Sequence, residues 1–341
     1  METWIETLCK MRCRRVLRFW GIVVGVMILA LPVFHRYVLN FISGPYTISA
    51  QDLPKITDPD KETHYFIRLS GDKTVDTGLQ EFEIEERNGV EQSRHMTAGY
   101  FALLEGDKFV LVKSDRTPST TVTGAISTIP ADVADKIFQG MDGEDLRMKA
   151  YPFFVDTTGF RTSGYWAIGI GVVILLIAFA AARPSWRRLQ DISTHPVVKR
   201  VREWGDLVTM SQEIESELQQ NVRYRFGLFS LTDKYVVQQS YFSFNVLRFW
   251  DLVWAYKIVT QHRTNFIPTG KTYSAKMVFY GAGTAVQANE AKVNEMLGFI
   301  ATRAPWAIIG FSKELQQQFS KDQKTFLATV EARRREVLKP A

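Results

Sequence analysis

An α+β membrane protein with two folded domains is the fold class that this sequence predicts, and three observations predict it. Two uncharged apolar runs, Phe19–Phe34 and Gly164–Ala182, interrupt a chain of 341 residues. Charge is distributed unevenly around them. Between and after them, short runs of alternating polarity broken by Gly, Pro, Asn and Asp read as β-rich domains.

The elements follow in chain order. Residues 1–15 form a short basic head, and the first span is placed at 16–42. Its run FWGIVVGVMILALPVF is interrupted by Pro32, His35 and Arg36. A full span therefore extends through Tyr37–Ile42, with Arg36 reaching for the interface. The lead of Lys10, Arg12, Arg14, Arg15 and Arg18 would also suit a cleaved signal peptide, but no small-x-small site follows, so an uncleaved span is expected. The second span, at 163–183, contains 19 residues without a charge or a proline, covering roughly 28 Å at about 1.5 Å per residue. Tyr165 and Trp166 at one end, and Trp186 between Arg183 and Arg187–Arg188 at the other, suit two headgroup layers. Gly21 and Gly25 in the first span, and Ala167 and Gly171 in the second, are small residues four apart. They permit close helix packing, within the chain or between copies.

Residues 1–39 carry six Lys/Arg against two Asp/Glu, residues 40–162 thirteen against twenty, and residues 163–341 twenty-three against fourteen, for +6 overall. Because Lys and Arg are retained on the cytoplasmic side, both termini are expected in the cytoplasm and the middle outside, across a bacterial inner membrane. The isoelectric point of about 9.2 then reflects basic residues facing membrane lipid, and no nucleic-acid partner is expected. The two cysteines, Cys9 and Cys13, lie in the head, so no disulfide framework holds the middle domain. Spaced by four, they share one helical face, but two thiols without a nearby histidine do not close a zinc site. Reduced thiols are expected, with acylation as the alternative.

The middle domain, 43–162, reads as five or so strands and one helix. Tyr65–Leu69 and Gln80–Arg87 alternate, the latter with Phe82 and Ile84 on one face, and Tyr100–Leu104 and Phe109–Lys113 flank a Gly-Asp turn at 106–107. Pro130 introduces a helix over Ala131–Gln139, with Val133, Ile137 and Phe138 inward. By analogy with similar layouts, the preferred shape is a small OB-like barrel. Glu81, Glu83 and Glu85 share a strand face that would concentrate negative potential for a cationic partner, or be merely solvated. His64 and His95 have no second ligand at metal-site spacing.

Beyond the second span, 184–221 is a helical connector broken at Gly205. Its apolar stripe is Leu207, Met210, Ile214 and Leu218, with Glu213, Glu215 and Glu217 away from it. Strands then follow at Tyr224–Thr232, Tyr235–Phe244, Leu252–Tyr256, Thr272–Tyr280 and Thr284–Gln287, with a Gly281–Gly283 turn and a helix over Glu290–Thr302. Here FGLFSLTDKYVVQQS, WDLVWAYK and KTYSAKMVFYGAGTAV, followed by a helix, resemble the bacterial pleckstrin-homology-like (PH-like) domains. The resemblance implies a cytoplasmic PH-like β sandwich with helices over 222–311, although residues 251–271 have no counterpart in it. The chain as a whole resembles uncharacterised two-pass bacterial membrane proteins, which implies an architecture and no activity. A final amphipathic helix, 312–338, capped by Ser312, carries Leu315, Phe319, Phe326 and Val330 on one face, for docking or for a partner helix.

PTGKTY at 268–273 suggests a phosphate-binding loop, but position 265 is Asn where that loop needs glycine, and a strand follows where it needs a helix. A tight turn at Pro268 and Gly270 is expected instead. Arg263 and Lys271 flank it and are candidates for lipid-phosphate contact. Phe249, Trp250, Trp254 and Tyr256 form the richest aromatic cluster, read as sandwich core with Asp251 capping backbone amides, the alternative being a pocket for a peptide or apolar ligand. No catalytic, cofactor-binding or metal-ligating constellation emerges. A non-enzymatic scaffold or accessory subunit with a protein partner or a second copy is therefore expected. The alternatives are a lipid-sensing protein, and a membrane enzyme using Asp251 or His262.

Overall fold

The computed structural model describes residues 2–87, 90–139, 143–264 and 267–339. The chain divides into two compact units, one of Met1–Gly21 with Phe179–Ala341 and one of Ile22–Ala178. Two helices run through both: α1 (Trp4–Val33) and, later in the chain, α5 (Phe160–Gln190). Each is long and apolar enough to cross a membrane.

In the second of these units, α1 ends at Val33 beyond Pro32, and α2 (His35–Ser43) follows. Arg36 donates to the carbonyls of Glu62 (2.7 Å) and Pro59 (2.9 Å) and lies 4.5 Å over the Tyr65 ring, clamping the segment that leads into the sheet. Asn40, fully buried, donates through Nδ2 to the Arg36 and Thr63 carbonyls and accepts at Oδ1 from the Phe66 amide. The strands are β1 (Tyr46–Thr47), β2 (Phe66–Ser70), β3 (Lys73–Arg87), β4 (Val90–Glu105), β5 (Lys108–Ser114), β6 (Thr121–Thr128) and β7 (Ala150–Asp156). They form one seven-stranded sheet in the order β1-β2-β6-β7-β5-β4-β3, with β1–β2 and β5–β7 parallel. This exceeds the five or so strands expected. Helix α3 (Ala131–Ile137) matches its expected start, and α4 (Gly143–Lys149), which follows it, was not anticipated.

The sheet is apolar on both faces at β5. Val110 and Val112 join Ile67, Leu103 and Phe153 on one side, while Phe109 and Leu111 pack with Phe154, Ile137 and Phe138 on the other. Gly106, at φ +58°, makes the expected two-residue turn between β4 and β5.

In the other unit, α6 (Pro196–Trp204) and α7 (Leu207–Gln220) are separated at Gly205 as expected. The strands β8 (Tyr224–Phe226), β9 (Phe229–Leu231), β10 (Tyr235–Gln239) and β11 (Phe244–Arg248) form one antiparallel sheet. The second contains β12 (Leu252–Thr264), β13 (Ile267–Phe279) and β14 (Ala282–Ala288), joined after helix α8 (Glu290–Arg303) by the short β15 (Ile308–Ile309), in the order β14-β13-β12-β15. The expected strand over 224–232 is a hairpin turning at Gly227 (φ +51°), and the expected 281–283 turn falls at Tyr280–Gly281. The final helix is two: α9 (Lys313–Lys321), capped by Ser312 as expected, and α10 (Gln323–Val337), begun anew by Asp322, whose carboxylate accepts from the Thr325 amide.

One core fills the space between the two sheets with Leu231, Val236, Leu247, Leu252, Met277 and Val286, and is closed by Val293, Met296 and Ile300 of α8 and by Phe326 and Val330 of α10. The docking role of the C-terminal apolar face is thereby met within the chain. Alternation on β10 and β11 turns Tyr235, Val237, Phe244 and Val246 the other way, into a second core with Val197, Val198, Val201, Leu207 and Ile214. The start of α1 completes that core: Ile5 and Cys9 are fully buried in it, and the Ile5 amide donates to Ser211 Oγ at 3.2 Å. Glu217 departs from expectation, being buried and bonded to Asn221 Nδ2 at 3.0 Å.

Candidate functional site

The aromatic cluster singled out in the sequence divides in two. Trp254 is buried, donates from Nε1 to the Gly310 carbonyl at 2.7 Å, and has Tyr256, Phe319 and Phe326 rings within 4.3–5.7 Å; Phe249 is buried in the same core. Trp250 turns away and is 43% exposed. Its ring, with those of Trp306 and Tyr280, surrounds the Arg334 guanidinium at 5.0, 5.4 and 5.7 Å, while Arg334 also donates to the Trp250 carbonyl and pairs with Glu331 at 2.6 Å. A cation–π cage of this kind suits a ligand cation, but here the chain's own α10 supplies the cation.

Among the described residues the Asp251 side chain caps no backbone amide. It pairs with Arg248 at 2.6 Å, and Arg248 in turn lies 5.1 Å over Trp204. His262 bonds Thr272 across the β12–β13 hairpin. Asp251 and His262 bracket most of β12, so strand rise alone puts them roughly 35 Å apart, and they share no cleft. PTGKTY lies within β13 rather than in a turn, Pro268 being paired with Arg263 and Gly270 with His262; the connecting residues 265–266 lie outside the described residues. Arg263 and Lys271 are both exposed near the end of that hairpin. Among the described residues no group of His, Cys, Asp and Glu is arranged to hold a metal ion. His64 stacks on Tyr46 at 4.0 Å, and His95 faces Glu83 across the β3–β4 pair.

The least expected feature of the middle domain is at its sheet edge. β4 pairs with β5 only over Gly99–Glu105, whereas β3 and β4 remain paired out to Arg87 and Val90. From Glu81 to Arg87 the pair continues alone, so a two-stranded ribbon projects roughly 23 Å past the sheet. Phe82 and Met96 are cross-strand partners on it, with Ile84 beside them, and all three are 44–49% exposed. The alternation placed Phe82 and Ile84 on one face correctly, but that face is open. Glu81, on the other face, pairs with Lys113 at 2.6 Å, and Glu85 accepts from Ser93 Oγ at 3.2 Å.

The small residues of the spans also sort differently from their spacing. A Cβ at Gly21 or Gly25 would meet nothing within 4 Å among the described residues, so neither position is a close-packing point. Gly171 has Met27 Cε in ordinary contact at 3.5 Å, and Ala167 lines an apolar groove with Phe34 and Val38. The close approach occurs at Gly164, where a Cβ would collide with the Phe41 ring. Sequence reasoning passed over Gly164, Asn40 and Ile5. Ile5 had a signal: it precedes Cys9 and Cys13 by the same step of four, and all three are buried.

Residues 196–319 match the family model described as a domain of unknown function (DUF6709). The match covers a little over a third of the chain, runs from α6 into α9, and so includes the α6–α7 pair that packs on β10 and β11. No curated protein and no solved structure matches the chain.

Proposed function

We propose that this protein is a non-enzymatic, two-pass inner-membrane scaffold or accessory subunit that links an extracytoplasmic β domain to a cytoplasmic PH-like interaction domain. One observation carries the reading: α1 is tied to folded structure at its start and just beyond its far end, and α5 at its start, instead of hanging from linkers. The first turns of α1 complete the core on β10 and β11. Past its far end, Asn40 and Arg36 tie the chain to the segment leading into β2, and the start of α5 is tied there too, through the Phe160 ring stacked 4.2 Å from Phe66. Helices held this way transmit a displacement, whereas flexible tethers absorb it. Charge asymmetry supports termini in the cytoplasm. Two four-stranded sheets closed by α8 support the PH-like assignment, and the OB-like description of the outer domain rests on analogy.

In this reading the β3–β4 ribbon is the surface offered to a protein partner or second copy, since Phe82, Ile84 and Met96 form an apolar patch rimmed by charge. The test is crosslinking in native membranes, followed by affinity purification in mild detergent. A specific co-purifying protein, or a discrete oligomer, lost in Phe82→Ser/Met96→Ser without loss of folding, is the expected result. A strictly solitary monomer in native membranes would sink the proposal.

A further inference from the structure

A concentration of cations around a cavity lies away from Arg263 and Lys271. Within the unit formed by the head and the tail, a cavity of about 400 Å³ is lined by Arg12, Arg188, Arg200, His195, Ser243 and Asn245 among others, with no Asp or Glu in its wall. That volume falls in the roughly 300–1,000 Å³ range of small-ligand sites. None of the three arginines forms an ion pair among the described residues.

Neutral groups hold two of them in place. Arg200 donates from Nη1 to Asn245 Oδ1 at 2.7 Å and to the Val246 carbonyl at 3.1 Å. Arg12 donates to the Tyr241 carbonyl at 3.3 Å, and its Nε is shut off from solvent with no hydrogen-bond partner. His195 accepts from the Val197 amide at Nδ1, 3.2 Å away, which leaves its proton on Nε2 as a further donor. Burial holds the Arg200 guanidinium below its usual value, although Asp251 and Glu203 oppose this. Gathering cations in a wall without carboxylates is costly unless an anion offsets them.

We propose that this cavity binds a phosphate-bearing anion, whose oxygens are met by the guanidinium groups of Arg12, Arg188 and Arg200. Guanidinium forks match phosphate oxygens in geometry and charge. Arg12 leads into one candidate span and Arg188 lies in the last turns of the other. The phosphate can therefore come from an inner-leaflet lipid headgroup, which rests on the two-pass reading above, or from a soluble phosphate, which does not.

Thermal unfolding of the full chain tests the site in two media. In neutral detergent, inorganic phosphate is titrated against chloride at matched ionic strength; in nanodiscs, phosphatidylcholine is compared with and without phosphatidic acid. Wild type is expected to be stabilised in at least one medium. Arg188→Gln should weaken the response about tenfold, a loss of about 1.4 kcal/mol. Arg187→Gln, which removes a neighbouring charge outside the cavity, should change it by no more than about twofold. Arg12→Gln makes the same comparison should Arg188→Gln misfold. A response to phosphate in detergent assigns the soluble source, and one confined to phosphatidic acid assigns the lipid. No response in either medium overturns the proposal, as does an equal loss in Arg187→Gln and Arg188→Gln, which would mean diffuse charge alone. The detergent arm decides the site even if the chain proves not to cross a membrane twice.

Discussion

At the scale of single residues, Asn40 and His195 show how a buried polar group is tolerated when its geometry is complete. Asn40 bonds two carbonyls and supplies the acceptor for the buried Phe66 amide. Asn40→Ala should therefore destabilise the Ile22–Ala178 unit by about 1–3 kcal/mol, since the buried Phe66 amide loses its acceptor. Denaturant unfolding of the detergent-solubilised chain measures it, and a loss under about 0.5 kcal/mol would mean that water replaces the amide. His195 is 7% exposed, and burial, reinforced by Arg188, pushes its imidazole down to about 4. The lowered value agrees with Nδ1 acting as an acceptor at the start of α6, a task that protonation abolishes. Arg12, Arg188 and Arg200 face the same cavity and oppose a further charge. Because the folded state takes up the proton less readily than the unfolded chain, this stability is complete above about pH 6.5 and drains away as the pH falls toward 4. The loss is of order 3 kcal/mol at most. His195→Asn keeps a capping acceptor but cannot titrate, so its unfolding midpoint should fall less than wild type's between pH 6.5 and 4.5. Parallel curves would remove His195 as the cause.

At the scale of elements, the sequence conveyed what local chemistry decides and withheld what distant packing decides. The stripe Leu207, Met210, Ile214 and Leu218, the caps at Ser312 and Pro130, and the Gly106 turn were all legible because each depends on neighbours within a few residues. The ribbon was not. A strand with Phe82 and Ile84 on one face has the same period whether that face is covered or open, and only the short reach of β5 leaves it bare. Asp322 was similarly hidden inside what reads as one helix, because the apolar positions on either side remain in phase. The role of α1 as part of a β-sheet core depends on contacts across some two hundred residues of chain, typified by Ile5 and Ser211. Ile5→Ser should thus cost about 2–4 kcal/mol in the Met1–Gly21/Phe179–Ala341 unit, through lost burial and an unfilled cavity. By contrast Val26→Ser, at an exposed site on the same helix, should leave that unit's detergent unfolding unchanged. Equal effects would mean that α1 stabilises the chain only through the bilayer or micelle.

At the scale of the whole molecule, the charge asymmetry that suggested an orientation acquires a structural counterpart. The head and the tail belong to one compact unit with a shared core, which agrees with the proposed placement of both on one side of the membrane. Such a placement needs an even number of crossings, which two candidate spans would supply. The proposed topology then makes a sharp forecast for thiol labelling. Cys9 and Cys13 are buried in the folded protein and contribute little background. A cysteine introduced at Asp115, whose side chain is 65% exposed in the middle domain, should react with a membrane-impermeant maleimide in intact cells whose outer membrane has been permeabilised. One introduced at the exposed Lys324 on α10 should react only after the inner membrane is opened. The reverse pattern would invert the assignment made from Lys and Arg retention. Labelling of both in intact cells would contradict separation by a membrane altogether, and with it the idea that the two helices carry a displacement from one compartment to the other.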